Sequence, residues 1–235
     1  MKALKLFVMV LAGLALSAVA SRAALTLDFS STPGASIQFN GAASSFQFNT
    51  STSNNYVGSQ WVIGNEVGGT GSAIGLFGAV TNGPFSYGPI STPFTGLQIA
   101  TVSNVPLGSL SINDGEGDFL TGNIAWVQLD TFQFSGGINA SLMVNVTSLT
   151  YSGTNQDLLT LVENGPAAMD LTFQFSPGLT LSDLTSGSGP FTTSFSGSIS
   201  VSTTEPTPEP TTVGCFLLGL GVLACCQRFA KKRHV

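Results

Sequence analysis

The chain has 235 residues, only 8 % of them charged, with twelve acidic residues, seven basic ones and a single histidine. All seven basic residues (Lys2, Lys5, Arg22, Arg228, Lys231, Lys232 and Arg233) lie near the termini, as do His234 and the three cysteines Cys215, Cys225 and Cys226. From Ala24 to Pro210 there is no cation to meet phosphate, no imidazole to activate a nucleophile, and no His or Cys for zinc or disulfides. Nucleic-acid binding and most enzyme classes are excluded on that ground.

In chain order, residues 1–23 have the three parts of a secretory signal. Lys2 and Lys5 make a positive start, Leu6 to Ala18 is apolar, and small residues follow in Ala18-Val19-Ala20 and Ser21-Arg22-Ala23. The apolar stretch is short for a membrane span, which needs roughly 20 residues. Export is the expectation.

From residue 24 to 204 the dominant period is two. Ile37 and Phe39 alternate with Ser36, Gln38 and Asn40, and Phe46 and Phe48 with Ser45, Gln47 and Asn49. Further on, Ala140, Leu142, Val144 and Val146 share one face, as do Met169, Leu171, Phe173 and Phe175. Phe195, Gly197, Ile199 and Val201 alternate with serines. Such alternation marks strands with one buried and one wet face. Turn clusters such as Asn82-Gly83-Pro84, Asn113-Asp114-Gly115 and Asn164-Gly165-Pro166 punctuate them. The pattern predicts an all-β domain of roughly ten to thirteen short strands, an antiparallel, jelly-roll-like two-sheet sandwich. No fixed repeat favours a solenoid instead. With no lysine on any strand, the sheet edges lack their usual guard.

Within this domain Asn113-Asp114-Gly115-Glu116-Gly117-Asp118 is the densest polar cluster. Asp114, Glu116 and Asp118 offer hard oxygen ligands for Ca²⁺, although the spacing departs from the EF-hand loop. The same residues make a turn between strands ending at Ile112 and starting at Phe119. A glycosidase would need only a carboxylate pair, for which Glu66, Asp114, Glu116, Asp118, Asp130 and Glu163 are candidates. Trp61 and Trp126 sit among apolar neighbours and read as core; Tyr56 and Tyr87 are other candidate stacking rings for sugars. Asn49, Asn139 and Asn145 open Asn-x-Ser/Thr sequons, which composition alone also explains.

Residues 205–210, Glu-Pro-Thr-Pro-Glu-Pro, form a stiff extended linker incompatible with a strand. Residues 211–235 follow as an apolar run, predicted to be a short transmembrane helix, and a basic tail of Arg228, Lys231, Lys232 and Arg233. Cationic residues beyond the run hold that side in the cytoplasm, and the lysines of the leader agree. The Pro208-Glu209-Pro210 triplet, the helix with Gly214, Gly219 and Gly221, and the basic cluster together resemble the PEP-CTERM sorting signal of Gram-negative bacteria. The resemblance covers the chain from Pro208 onward; Phe229 and Ala230 interrupt its basic cluster, and cysteines in the helix are a second departure. It implies recognition of Pro208, Glu209 and Pro210 by an exosortase, a membrane-embedded processing protease.

The expected protein is a non-enzymatic, exported surface or extracellular-matrix protein, held in the membrane before processing, with extracellular polysaccharide as a possible partner and no cofactor beyond possible calcium. The alternative is a carbohydrate-binding module with a calcium-stabilised loop at Asp114–Asp118.

Overall fold

The computed structural model describes residues 24–134 and 137–201, with the backbone alone at 134 and 137–139. The leader over 1–23, the Pro208-Glu209-Pro210 linker, the apolar run and the basic residues Arg228, Lys231, Lys232 and Arg233 lie outside the described residues. Among the described residues no helix is long and apolar enough to cross a membrane.

The chain begins with β1 (Leu25–Ser31), β2 (Ser36–Asn40), a 3₁₀ turn at Gly41–Ala43, and β3 (Ser45–Asn49). It continues through β4 (Trp61–Val67), β5 (Phe77–Thr81), β6 (Phe85–Ser86), β7 (Ser91–Phe94), β8 (Leu97–Thr101) and β9 (Gly108–Asn113). Two long strands follow, β10 (Phe119–Phe134) and β11 (Gly137–Thr150), and then α1 (Gln156–Glu163), β12 (Ala167–Phe173), α2 (Leu181–Ser186), β13 (Phe191–Thr193) and β14 (Phe195–Val201).

The expected all-β, antiparallel, two-sheet architecture is present, but the larger sheet closes on itself. Its strands run β11-β12-β14-β1-β4-β5-β9-β10, and β10 pairs back to β11 along almost its whole length, giving an eight-stranded barrel. Strands β8 and β7 extend the sheet from the far half of β10, beyond the half that β9 occupies. A four-stranded sheet, β13-β2-β3-β6, lies against the barrel. Its inner phenylalanines interdigitate with aromatic rings of the barrel strands: Phe39 on Phe173, Phe46 on Trp126 and Phe48 on Phe195, each with ring centres 5.2 Å apart. Offset and edge-on ring pairs of this kind add about 0.5–1.5 kcal/mol each beyond the area they bury.

Alternation sets the two surfaces of the barrel. Leu25, Leu27 and Phe29 of β1 are buried, and Thr26, Asp28 and Ser30 between them are not; β9, β12 and β14 repeat the pattern. An apolar interior with an outer face of Ser, Thr, Asn and Asp is the inverse of a lipid-facing barrel. Two register shifts fall along β10 against β11, the first between Thr121 and Asn123, and the second breaks the alternation. That second shift, between Trp126 and Gln128, moves the inward set from Leu120, Ile124 and Trp126 to Leu129 and Thr131, leaving Val127 exposed.

Two side-chain amides complete ladders that the backbone leaves short. Strands β4 and β5 have two register pairs, Trp61↔Gly78 and Val62↔Phe77, flanked by backbone bonds from Gln60 N to Gly78 O, Ile63 N to Leu76 O and Gly75 N to Ile63 O. Buried Gln60 extends that seam: its Oε1 accepts from Val80 N (2.6 Å) and its Nε2 donates to Val80 O (2.8 Å). Between β9 and β8 on the flank of β10, Asn104 does the same for Trp126, accepting from its N (2.6 Å) and donating to its O (3.1 Å). At the β4–β5 seam Gly78 lies flat on the Trp61 indole, where a Cβ would overlap the ring.

Gln60→Leu leaves the Val80 N–H and C=O buried without partners. A loss of about 2–4 kcal/mol is expected from two such groups, read as a lower urea midpoint with unchanged m-value. A midpoint equal to that of the parent would show that the seam does not depend on this amide.

Candidate functional site

The two ends of the barrel differ in chemistry. At the end where β1 begins and β14 finishes, polar residues from three connections meet. The loop from β9 to β10 holds the predicted carboxylate cluster, but its three acids do not converge. Asp114 turns inward and its Oδ1 accepts from the N–H groups of Glu116 (2.8 Å), Gly117 (3.1 Å) and Asp118 (3.0 Å). Its Oδ2 accepts from the Tyr151 hydroxyl at 2.8 Å. Burial alone would raise the Asp114 carboxyl; these donors outweigh it and hold it below the ordinary aspartate range. Asp118 accepts from Ser152 Oγ (3.3 Å), and Glu116 is exposed. No group of three His, Cys, Asp or Glu side chains able to hold a metal is found among the described residues. Asp114 thus serves the turn, and its loop-facing oxygen is already surrounded by N–H groups.

The same end contains a carboxyl pair that no sequence signal joined. Asp157, in the first turn of α1, is 1 % exposed. The glycine-rich loop between β4 and β5 wraps it. Asp157 Oδ1 accepts from Thr70 N (2.8 Å), and Oδ2 accepts from Thr70 Oγ1 (2.9 Å), Ser72 N (2.7 Å) and Ser72 Oγ (2.6 Å). Glu66, near the end of β4, accepts from Gly71 N at 2.8 Å and from Ala73 N at 3.4 Å, with the Asp157 carboxyl beside it. Gly69 presses on both carboxyls so closely that a Cβ would collide with Glu66 Oε1.

The two acids are driven apart. Desolvation and the neighbouring Asp157 raise Glu66, against the Gly71 and Ala73 N–H groups that favour its charged form. Desolvation opposes ionisation of Asp157 too, but the Ser72 hydroxyl, the Thr70 N–H and Glu66 overcome it and bring its pKa to about 2. Two neighbouring acids whose pKa values are driven apart are a composition fit for glycoside hydrolysis. Here, however, the Asp157 oxygens are enclosed by the loop, with no open approach for a sugar. The pair clamps the β4–β5 loop to α1, and Asn155, the N-cap of that helix, ties in Ser72 O (2.8 Å) and Tyr151 Oη (3.0 Å).

At the opposite end of the strands lies an open groove of about 1440 Å³. Asp130, Phe132, Ser141, Thr172, Gln174 and Ser196 contribute to its lining. Asp130, among the sequence candidates for an acid pair, meets no second acid here; its Oδ1 accepts from Gln128 Nε2 at 3.1 Å. Trp61 and Trp126 are core residues at 0 and 2 % exposure, and Tyr87 is buried with its hydroxyl 3.1 Å from Thr185 Oγ1. Tyr56 packs its ring edge-on against Phe77. Of the sequons, Asn145 is exposed on β11, Asn49 gives its amide to Ser36 and Gln38, and the Asn139 side chain is not described. No protein-family model, curated protein or solved structure matches the chain, so its own chemistry carries the assignment of a role.

The clamp has a defined pH signature. Asp157, lowered in the fold, adds stability that is complete above its ordinary 3.8 and is lost as pH falls toward about 2. Glu66, raised in the fold, adds stability below its ordinary 4.5 that is lost as pH rises through its folded value. Asp157→Asn is expected to cost about 2 kcal/mol at pH 7 and much less near pH 2. Glu66→Gln, which mimics the protonated acid, should raise the melting temperature at pH 7 and change it little at pH 4. Thermal melts across that range check both, and a Glu66→Gln melt lower than the parent at pH 7 would contradict a raised Glu66 pKa.

Proposed function

We propose that this chain is a non-enzymatic exported protein whose barrel is delivered to the cell surface or extracellular matrix. Its C-terminal signal would be recognised by an exosortase-type protease, with a transient membrane anchor formed by the apolar run over 211–235. One observation carries the reading: every basic residue flanks an apolar terminal segment, and none falls in the barrel between them. A domain that used cations for binding or catalysis would not have them sorted in this way, whereas membrane topology signals require that placement.

The fold is compatible with handling from its ends. Leu25 and Val201 are register partners in β1 and β14, so the segments before and after the barrel leave from adjacent strand ends. In this reading Pro208, Glu209 and Pro210 are recognition residues, and Arg228, Lys231, Lys232 and Arg233 keep the far side of the anchor cytoplasmic. The small sheet against the barrel acts as one layer of a local sandwich, a closed and rigid body suited to display.

Intact-mass measurement of the mature protein, expressed in a host with an active exosortase, tests the proposal. The expected mature chain lacks the basic tail, and combined Pro208→Ala and Glu209→Gln substitutions retain it. A wild-type chain that still ends at Val235 would leave a plain anchor in place of a sorting signal.

A further inference from the structure

The groove has an order that residue names alone do not convey. Successive registers set Asp130 opposite Ser141, Ser141 opposite Thr172, Thr172 opposite Ser196, and Ser196 opposite Ser30. The five residues belong to five neighbouring strands, β10, β11, β12, β14 and β1, and all line the groove. By register they form one row across the outer face of the sheet, about 19 Å when followed along its curvature at about 4.8 Å per strand, and within it the Thr172 and Ser196 hydroxyls lie 3.1 Å apart. Thr172, Ser196 and Ser30 are exposed, and Asp130 and Ser141 are half-exposed. Beside the row stand the exposed Gln174 and the half-buried Phe132.

The geometry points to a binding site for a neutral, extended polysaccharide lying across the strands along this row. Three features select that class. The row offers hydroxyls, an amide and one carboxylate, which hydrogen-bond polyols in either direction, donating or accepting. The interval between its residues is commensurate with the ring-to-ring repeat of an extended glycan chain, so successive sugars meet successive side chains. Finally, no Lys, Arg or His exists anywhere from Ala24 to Pro210, and Asp130 sits in the groove, so an anionic polymer would meet only repulsion.

The placement of the row is consistent with reaching a polymer in the surroundings. It lies near Ser30 and Ser196, whereas the chain enters and leaves the same two strands at Leu25 and Val201. The separation is about 17 Å along the strand at about 3.4 Å per residue. The Asp114 loop lies beyond that chain-exit end, so the site proposed here makes no use of calcium or of that loop. It is also independent of how the tail is processed.

Affinity electrophoresis of the full-length chain, purified in a non-ionic detergent, provides the test. The gels contain mixed-linkage β-glucan, galactomannan or dextran as neutral polymers, and alginate or polygalacturonate as anionic ones. At least one neutral polymer is expected to retard the protein through the groove, whereas any retardation by an anionic one comes from the basic termini and is unchanged in the groove variants. Thr172→Trp, which fills the middle of the row with a residue that strands favour, should weaken retardation by about tenfold or more. Gln174→Ala should weaken it several-fold, and Glu116→Ala at the opposite end should not change it. Far-UV circular dichroism and a thermal melt establish that each variant is folded; if Thr172→Trp is not, Gln174→Ala decides. The proposal is overturned if no neutral polymer retards the parent, if the groove variants weaken retardation by the anionic polymers as strongly, or if the folded groove variants bind the neutral polymer like the parent. Failure of tail processing would leave this binding intact, so the two readings fail separately.

Discussion

Closure of the barrel through the β10–β11 hairpin is the constraint on which the rest depends. A sheet whose strands carry no lysine and little charge has no electrostatic guard on its edges. Pairing β10 to β11 while β11 also pairs β12 and β10 also pairs β9 removes those edges from the eight barrel strands, leaving only the β8–β7 extension in the larger sheet. Composition and topology thus answer each other: a chain this poor in charge is kept from edge-to-edge association by having few edges to offer. The short, Pro93-containing β7 ends the extension beyond β8, and a proline there withholds one donor from any further strand.

Closure has a geometric cost that specific residues meet. One strand, β10, must serve β9 over Phe119–Ile124 and β8 over Gln128–Phe132, and the chain between those two partners leaves a gap. The shift at Trp126–Gln128 and the Asn104 amide fill it. The β4–β5 seam is the second thin place, and there Gln60 and the Gly78–Trp61 contact substitute for ladder length. Both repairs use neutral amides. Only a group with a donor and an acceptor side by side can imitate a strand residue, and a charged side chain would have to be desolvated to do so.

Much of the strand content was legible in the alternation, because burial on one face imposes a period of two. Ile37 and Phe39, Leu142 to Val146, Met169 to Phe173 and Phe195 to Val201 all point inward or pack as that period requires. Barrel closure was not legible, since it depends on which distant strands pair, and alternation is the same in a sandwich and a barrel. The helices escaped because eight and six residues are too few to establish a helical period. A local signal for one existed nonetheless: Thr180-x-x-Asp183 is a capping box, and the structure forms it. The turn reading of Asn113–Asp118 rested on Asp and Gly geometry, and the inward Asp114 carboxylate is its physical content. Nothing near Asp157 distinguishes it from a surface acid in a short polar helix. Its environment comes from Thr70 and Ser72, about 85 residues away in sequence.

The same distinction between local and distant information separates the two ends of the barrel. At the chain-exit end, Asp114 and Asp157 are turned inward and surrounded by N–H and hydroxyl donors, so one carboxylate holds the β9–β10 turn and the other ties the β4–β5 loop to α1. At the groove end, the polar groups of Ser30, Ser141, Thr172 and Ser196 point outward from strands whose backbone is already paired. Inward acids fix the conformation of the fold, whereas outward hydroxyls on a finished ladder remain in contact with whatever surrounds the protein. Because the barrel contains no cation, its surface can recognise only through hydroxyls, amides, carboxylates and ring faces. The row across β10, β11, β12, β14 and β1 is where those groups are held in line by hydrogen-bonded strands, the most rigid placement this composition allows.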